Sequence, residues 1–140
     1  MKIKVLSRLE FEKFESKEPY IAISITDPNS EPVIVNGNDD NFQSMLSLQF
    51  YDLDKDTEVF PYSRFIFNER DAKQILDFVD VYKDNIDMIC IHCEAGISRS
   101  AGIASALSLI YNGEDQYYFD HYIPNMLVYR TILDVWQGGC

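Results

Sequence analysis

Short apolar runs alternate with amphipathic segments along the chain, and the period of each run predicts its structure. Apolar or alternating runs predict strands at 2–7, 20–28, 45–50 and 87–93. The polar segment 29–41 contains a candidate short strand at Val33 to Val35. Residues 51–68 are too polar and too irregular for one element, which predicts a long loop of the kind that often carries function.

Helical spacing of apolar residues marks most of the remaining segments. It predicts one or two helical turns at 8–14, helices at 69–85 and 99–111, and a last amphipathic helix at 126–136. Asn68 is the predicted N-cap of the helix at 69–85. Gly113 is predicted to end the helix at 99–111. The aromatic-rich segment 115–126 is predicted to pack on the core, with Asn125 capping the last helix.

Strands separated by helices predict an α/β fold. We expect a single domain over residues 1–140, with a central, mainly parallel sheet of about four to five strands and helices on both faces. In such sheets the ligand binds beyond the carboxyl ends of the strands. The segment "IHCEAGISRSAG", residues 91–102, begins at one of these ends.

Composition and charge narrow the classes of function. Twelve basic and twenty-three acidic residues give a net charge of −11, which opposes binding to nucleic acid or to an anionic membrane. A phosphate-bearing substrate therefore needs a local positive site. No apolar run is long enough to span a bilayer, the N-terminal segment lacks a secretory pattern, and three irregularly spaced cysteines favour a reducing compartment. Cytoplasmic localisation is the expectation.

The segment after the strand at 87–93 combines a nucleophile with an anion site. A tight turn containing Gly96 can direct backbone N–H groups inward, and the following helix adds its partial positive charge. The same field favours the thiolate of Cys93, which is the nucleophilic form. Arg99 can clamp an anion at two points, and the Ser100 hydroxyl can reach back towards the sulfur. Attack of sulfur on phosphorus uses all of these groups.

"HCEAGISRS", residues 92–100 and here called the signature loop, resembles the signature of the cysteine-dependent protein tyrosine phosphatases. The matching positions are His92, Cys93, Gly96, Arg99 and Ser100. Chain length and element order resemble the compact dual-specificity-like branch. "IAISITDP", "LQFYDLD" and "IPNMLVYR" extend the likeness to the small tyrosine-phosphatase-like proteins of bacteria and phages, over most of residues 20–136.

The resemblance implies a catalytic role for each part of the signature loop. Cys93 forms a phosphocysteine intermediate, Arg99 binds phosphate, and Ser100 assists departure of the sulfur. Phosphate is also held by the backbone of Glu94, Ala95, Gly96, Ile97, Ser98 and Arg99. As a strand residue directly before the nucleophile, His92 is predicted to support the loop through hydrogen bonds. No cofactor and no metal is expected.

A general acid from a separate upstream loop is also implied, because the leaving oxygen needs a proton. The candidates lie in "FYDLDKD". Asp52 ranks first because it follows the strand end most closely, Asp54 ranks second, and Asp56 is the third candidate. Larger members of the family carry Trp-Pro-Asp on this loop, and this chain does not. Tyr51, Tyr62 and Phe65 are candidates for the pocket wall.

Other roles for the cysteines have weaker support in the sequence. Cys90 and Cys93 have a Cys-x-x-Cys spacing, but the sequence offers no second ligand pair, and His92 and His121 complete no zinc pattern. We interpret Cys90 as a core residue and keep a regulatory disulfide with Cys93 as a minor hypothesis. Cys140 is expected in a terminal tail.

Three functions are compatible with the sequence. The leading one is a phosphatase for phosphotyrosine, with phosphoserine and phosphothreonine as further candidates, acting on a phosphorylated protein or a small phosphomonoester. The second is a binding module that keeps the phosphate site but lacks efficient catalysis. A sulfurtransferase or arsenate reductase is the third, and it is disfavoured because the loop lies at residue 93 and the spare cysteines form no relay. The sequence indicates no oligomeric state.

Overall fold

The computed structural model describes residues 1–35, 39–53 and 65–138. Its strands are β1 (Lys2–Leu6), β2 (Tyr20–Thr26), β3 (Phe42–Gln49) and β4 (Met88–His92). Its helices are α1 (Arg8–Glu12), α2 (Glu69–Tyr82), α3 (Arg99–Asn112), α4 (Gln116–His121) and α5 (Met126–Gly138). No helix in these ranges is both long enough and apolar enough to cross a bilayer.

The described strands form a parallel sheet in the order β1-β4-β2-β3. This confirms the predicted α/β class with a parallel central sheet. The central strand β4 lies between β1 and β2, and its last residue, His92, pairs with both Leu6 and Ser24. Because the strands are parallel, the ends of β1, β2 and β4 and the start of the signature loop meet at one edge of the sheet.

The two faces of the sheet are covered unequally. Alternate side chains, such as Ile23 of β2 and Ile91 of β4, enter the larger core, together with apolar residues from α2, α3, α4 and α5. The intervening residues, such as Ala22 and Cys90, enter a smaller core closed by Phe11 of α1. Helices therefore lie on both faces, as predicted, and α1 is the one described helix on the smaller side.

The ends of α2 and α3 follow the local signals. Asn68 caps α2: its Oδ1 accepts from the Asp71 amide at 3.1 Å, and the Asp71 carboxylate accepts from the Asn68 amide at 3.2 Å. The helical positions read from the sequence are buried, namely Ala72, Ile75, Leu76 and Val79. Gly113 ends α3 with a φ of 79°, a conformation that favours glycine. Both predictions are confirmed.

Two strand predictions differ from the structure. β3 begins at Phe42, three residues before the predicted start, because polar residues are tolerated on the exposed side of an edge strand that pairs with β2. The segment around Val33 forms no strand. The Arg8 guanidinium binds the carbonyls of Glu31 and Pro32, directly before this segment, at 2.8 and 3.1 Å.

Candidate active site

The signature loop turns tightly between β4 and α3. Gly96 has a φ of 72°, in the left-handed region that the sequence predicted a glycine to serve. A Cβ at this position would lie 2.7 Å from the Leu6 carbonyl and from the Ser7 amide. The loop therefore packs directly on the junction of β1 and α1, and only glycine fits at its apex.

Cys93 places its sulfur at the base of this loop. The residue is only 2% exposed, and its Sγ accepts a hydrogen bond from the Gly96 amide at 3.2 Å. The Ser100 hydroxyl lies 3.1 Å from the same sulfur, so the contact that the sequence suggested between these side chains is present. An N–H and a hydroxyl at this distance stabilise negative charge on sulfur.

Arg99 is held along one edge of its guanidinium group. Its Nη1 donates to the Asp27 carboxylate at 2.7 Å and to the Phe50 carbonyl at 2.8 Å. The Arg99 side chain is 7% exposed, whereas that of Asp27 is 50% exposed. No described residue bonds Nε or Nη2, so that edge is free to meet an oxyanion. Sequence reasoning missed Asp27, although its position after β2 was a usable signal.

The first turn of α3 has no side-chain cap among the described residues. Ser98 occupies the N-cap position, yet its side chain makes no capping bond. Its hydroxyl donates instead to Asp52, at 2.9 Å. A helix start with uncapped amides carries partial positive charge and binds anions.

Asp52 lies against the signature loop, as expected of the first-ranked acid. Its Oδ1 accepts from Ser98 Oγ at 2.9 Å and from Asn125 Nδ2 at 2.8 Å. Asp54 and Asp56, the other candidates, fall outside the described residues. The structure thus places one of the three candidate carboxylates beside the loop.

Asn125 does more than the sequence predicted. Its Oδ1 accepts from the Val128 amide at 3.1 Å, which confirms the expected cap of α5. Its Nδ2 also donates to Asp52 and to the Leu53 carbonyl, and its amide donates to the Ser98 carbonyl at 2.9 Å. No local sequence signal reveals the bonds to Asp52 and Leu53, because they span more than seventy positions.

His92 is buried behind the nucleophile. Its Nε2 lies 2.6 Å from Ser24 Oγ, its Nδ1 lies 3.3 Å from the Cys93 carbonyl, and its ring stacks on Phe11 at 4.6 Å. Burial lowers the pKa of His92 below its ordinary value, so the ring is neutral at physiological pH. A neutral ring held on both nitrogens suits a supporting role.

The rim of the loop is polar on one side. Glu94 forms an ion pair with Arg8 at 3.2 Å, and the Arg8 amide donates to the Glu94 carbonyl at 3.3 Å. Ala95 and Ile97 are exposed, so the outer face of the loop is accessible. Tyr51 and Phe65 contact each other edge to face at 6.0 Å, while Tyr62 lies outside the described residues.

The side chains of Cys90 and Cys93 do not lie on the same face of the sheet. Cys90 packs in the smaller core and Cys93 in the larger one, on opposite faces of the sheet. Burial raises the pKa of Cys90 to about 12, so it stays a neutral thiol. Both observations disfavour the minor hypothesis of a disulfide. Cys140 lies outside the described residues. Within the described ranges, no cluster of three His, Cys, Asp or Glu residues is arranged to hold a metal.

The parallel sheet and the helices that flank it resemble the fold of solved dual-specificity phosphatases and tyrosine phosphatase-like proteins. Three of these structures illustrate the likeness. Human DUSP28 has a TM-score of 0.60 at 9% identity, over 99% of this chain and 95% of that one. The human tyrosine phosphatase-like serine/threonine/tyrosine-interacting protein has a TM-score of 0.55 at 18% identity, over 86% and 78% of the two chains. PTPMT1 in complex with PI(5)P has a TM-score of 0.55 at 13% identity, over 87% and 81%.

No protein-family model and no curated protein matches the sequence. The likeness therefore lies in the fold, where it agrees with the dual-specificity-like branch that the signature loop resembles.

Proposed function

We propose that this protein is a cysteine-dependent phosphomonoester hydrolase that acts on phosphorylated proteins, on phosphotyrosine first and on phosphoserine or phosphothreonine as well. The observation that carries the proposal is the geometry at Cys93. A buried sulfur bonded by Gly96 and close to Ser100 lies in a loop that ends at an arginine with one free edge. The dual-specificity fold supports the same chemistry.

In the first step the Cys93 thiolate attacks phosphorus. A sulfur–phosphorus bond forms while the bond from phosphorus to the ester oxygen breaks, and the proton of the Asp52 carboxylic acid passes to that oxygen. The free edge of Arg99 and the loop amides bind the equatorial oxygens, where charge is spread in the transition state. The product is an alcohol or phenol and a phosphocysteine.

In the second step water cleaves the phosphocysteine. The Asp52 carboxylate takes a proton from water while the water oxygen bonds to phosphorus, and the sulfur–phosphorus bond breaks. The Ser100 hydroxyl, 3.1 Å from the sulfur, stabilises the thiolate that leaves. The cycle uses side chains and water alone. A thiolate nucleophile works best in a reducing compartment, so we also propose that the protein acts in the cytoplasm, with residues 1–140 as one catalytic domain.

The test is hydrolysis of nitrophenyl phosphate in the presence of a metal chelator. We expect turnover by the native protein, inhibition by vanadate, and loss of activity in Cys93→Ser to near background. Cys90→Ala is the matched cysteine control, because Cys90 lies on the other face of the sheet, and it should retain activity. Full activity of Cys93→Ser, or a requirement for added metal, would contradict the proposal. Tight phosphopeptide binding by a native protein without turnover would indicate a binding module instead.

A further inference from the structure

Asn125 lies where three parts of the site meet. It follows α4, precedes α5, and is 2% exposed. Its backbone amide donates to the carbonyl of Ser98 in the signature loop, and its side chain reaches Asp52 and Leu53 beyond β3. One buried residue therefore joins the loop that holds the nucleophile to the segment that holds the acid.

Every polar atom of the Asn125 side chain has a partner. The Nδ2 group carries two hydrogens and donates to Asp52 Oδ1 at 2.8 Å and to the Leu53 carbonyl at 3.0 Å. The Oδ1 atom accepts from the Val128 amide. The amide plane is thus fixed at both ends, and a fixed amide can fix the carboxylate that it binds.

The backbone of Asn125 is equally constrained. A Cβ added to Gly102 of α3 would lie 2.7 Å from the Asn125 carbonyl and 3.1 Å from Val128 Cβ. The missing side chain lets α3 approach this segment closely. Because α3 also begins at the signature loop, the position of Asn125 is set by the same helix that presents Arg99.

We infer that Asn125 is the positioning residue for Asp52 and that it aligns the acid with the leaving oxygen. The inference rests on the proposed function. Asn125 and Ser98 both donate to Oδ1, and no described residue bonds Oδ2. Oδ2 is therefore the oxygen that carries the proton to the leaving group. The side chain of Asn125 bonds only Asp52, Leu53 and Val128 among the described residues, so its amide group acts through Asp52.

This role predicts a dependence on the leaving group. A weakly acidic phenol needs protonation as its bond to phosphorus breaks, whereas a strongly acidic one departs as an anion without help. Loss of the Asn125 amide should therefore slow phenyl phosphate and spare dinitrophenyl phosphate. A defect in folding or in phosphate binding would slow both substrates alike.

Asn125→Ser is the informative variant. Serine is as good an N-cap as asparagine, so α5 keeps its start while the amide donor is lost. We expect kcat/KM for phenyl phosphate to fall about tenfold or more, because small misplacement of a catalytic group is costly. We expect kcat/KM for dinitrophenyl phosphate, which reports formation of the phosphocysteine and not its breakdown, to stay within about twofold and the vanadate inhibition constant to be unchanged.

A double-mutant cycle separates positioning from a merely structural effect. In an Asp52→Asn background there is no acid to align, so adding Asn125→Ser should cause no further loss with phenyl phosphate. Asn112→Ser is the matched control, since Asn112 bonds only the chain terminus among described residues, and it should behave like the native protein.

Three results would overturn the inference: equal losses with both substrates, no loss with phenyl phosphate, or the same loss in the Asp52→Asn background. Equal losses with both substrates, or no loss with phenyl phosphate, would not contradict the proposed function if the native protein hydrolyses both esters. A native protein that hydrolyses neither ester would remove the proposed function and this inference together.

Discussion

Two aspartates follow neighbouring strands and meet the signature loop at different atoms. Asp27 comes directly after β2 and binds Arg99, while Asp52 comes after β3 and binds Ser98 and Asn125. The contact with Asp27 holds one edge of the guanidinium, and no described residue bonds the other edge. In the proposed mechanism Asp27 orients the arginine and Asp52 transfers the proton.

Asp27→Asn should weaken phosphate binding. The variant keeps an oxygen that can accept from Arg99 but loses the charge, and charge-assisted bonds are about twice as strong as neutral ones. We expect the vanadate inhibition constant and KM to rise about tenfold, with a smaller change in kcat. Asp77→Asn, which alters an exposed pair with Lys73, is the control. Equal inhibition constants for Asp27→Asn and the native protein would refute the orienting role.

His92 should make stability depend on pH. Burial holds the pKa of His92 below its ordinary value, Arg8 lowers it further, and Glu12, Glu94 and the Cys93 carbonyl oppose them. The unfolded chain then binds more protons than the folded chain below about pH 6.5. The stability that the neutral, buried His92 contributes is therefore present above that pH and is lost as pH falls.

Urea unfolding of the native protein and of His92→Gln, between about pH 7.5 and pH 5.5, measures the contribution of His92 to the free energy of unfolding. The free energy of unfolding should fall more steeply with falling pH in the native protein than in the variant. Parallel curves would show that His92 titrates normally in the folded state.

At the scale of elements, close packing of α3 positions the site. α3 is buried along most of its length and is built largely from small residues. The sequence predicted this helix but not the reason for its small side chains. Gly102 lets α3 pack against the segment before α5, and that segment carries Asn125.

Gly102→Ala should force this contact apart. The added methyl group meets a backbone carbonyl at 2.7 Å, and overpacking of this kind costs about 1–3 kcal/mol. We expect a lower free energy of unfolding in urea and reduced turnover of phenyl phosphate. Gly138→Ala is the matched control, because a Cβ there meets nothing within 4 Å. Similar stability for the two variants would contradict the packing argument.

Local signals predicted much of the fold, and nonlocal ones were missed. The cap at Asn68, the turn at Gly96 and the end of α3 depend on residues close in sequence, so they could be read directly. The pair between Asp27 and Arg99 spans 72 positions and exists only because the order β1-β4-β2-β3 places β2 beside β4. Hydrophobic period predicts strands but not their order, so the sequence could mark Asp27 as a residue at a strand end but could not pair it with Arg99.

At the scale of the whole molecule, a net charge of −11 surrounds the proposed phosphate site. Two arginines of the described residues beside the signature loop are paired: Arg8 with Glu94, and Arg99 with Asp27. The uncapped start of α3 and the free edge of Arg99 supply the local attraction. We therefore expect the acidic surface beyond them to disfavour further negative charge on a substrate.

Phosphopeptides with matched phosphotyrosines and different flanks test this selection. A peptide with basic flanks should have a kcat/KM about threefold to tenfold higher than one with acidic flanks at about 20 mM salt. The ratio should shrink towards one at about 300 mM salt, where screening is strong. A ratio that does not respond to salt would mean that the overall field has no part in substrate choice.

The most direct test of the account is to capture the phosphorylated enzyme. Asp52→Ala, mixed with dinitrophenyl phosphate and quenched in acid, should accumulate the intermediate, because formation needs no acid with this ester while breakdown needs the base. Peptide mass spectrometry should then find one phosphoryl group on Cys93. Hydrolysis that proceeds with no phosphoryl group on Cys93, or with one on another residue, would contradict the account.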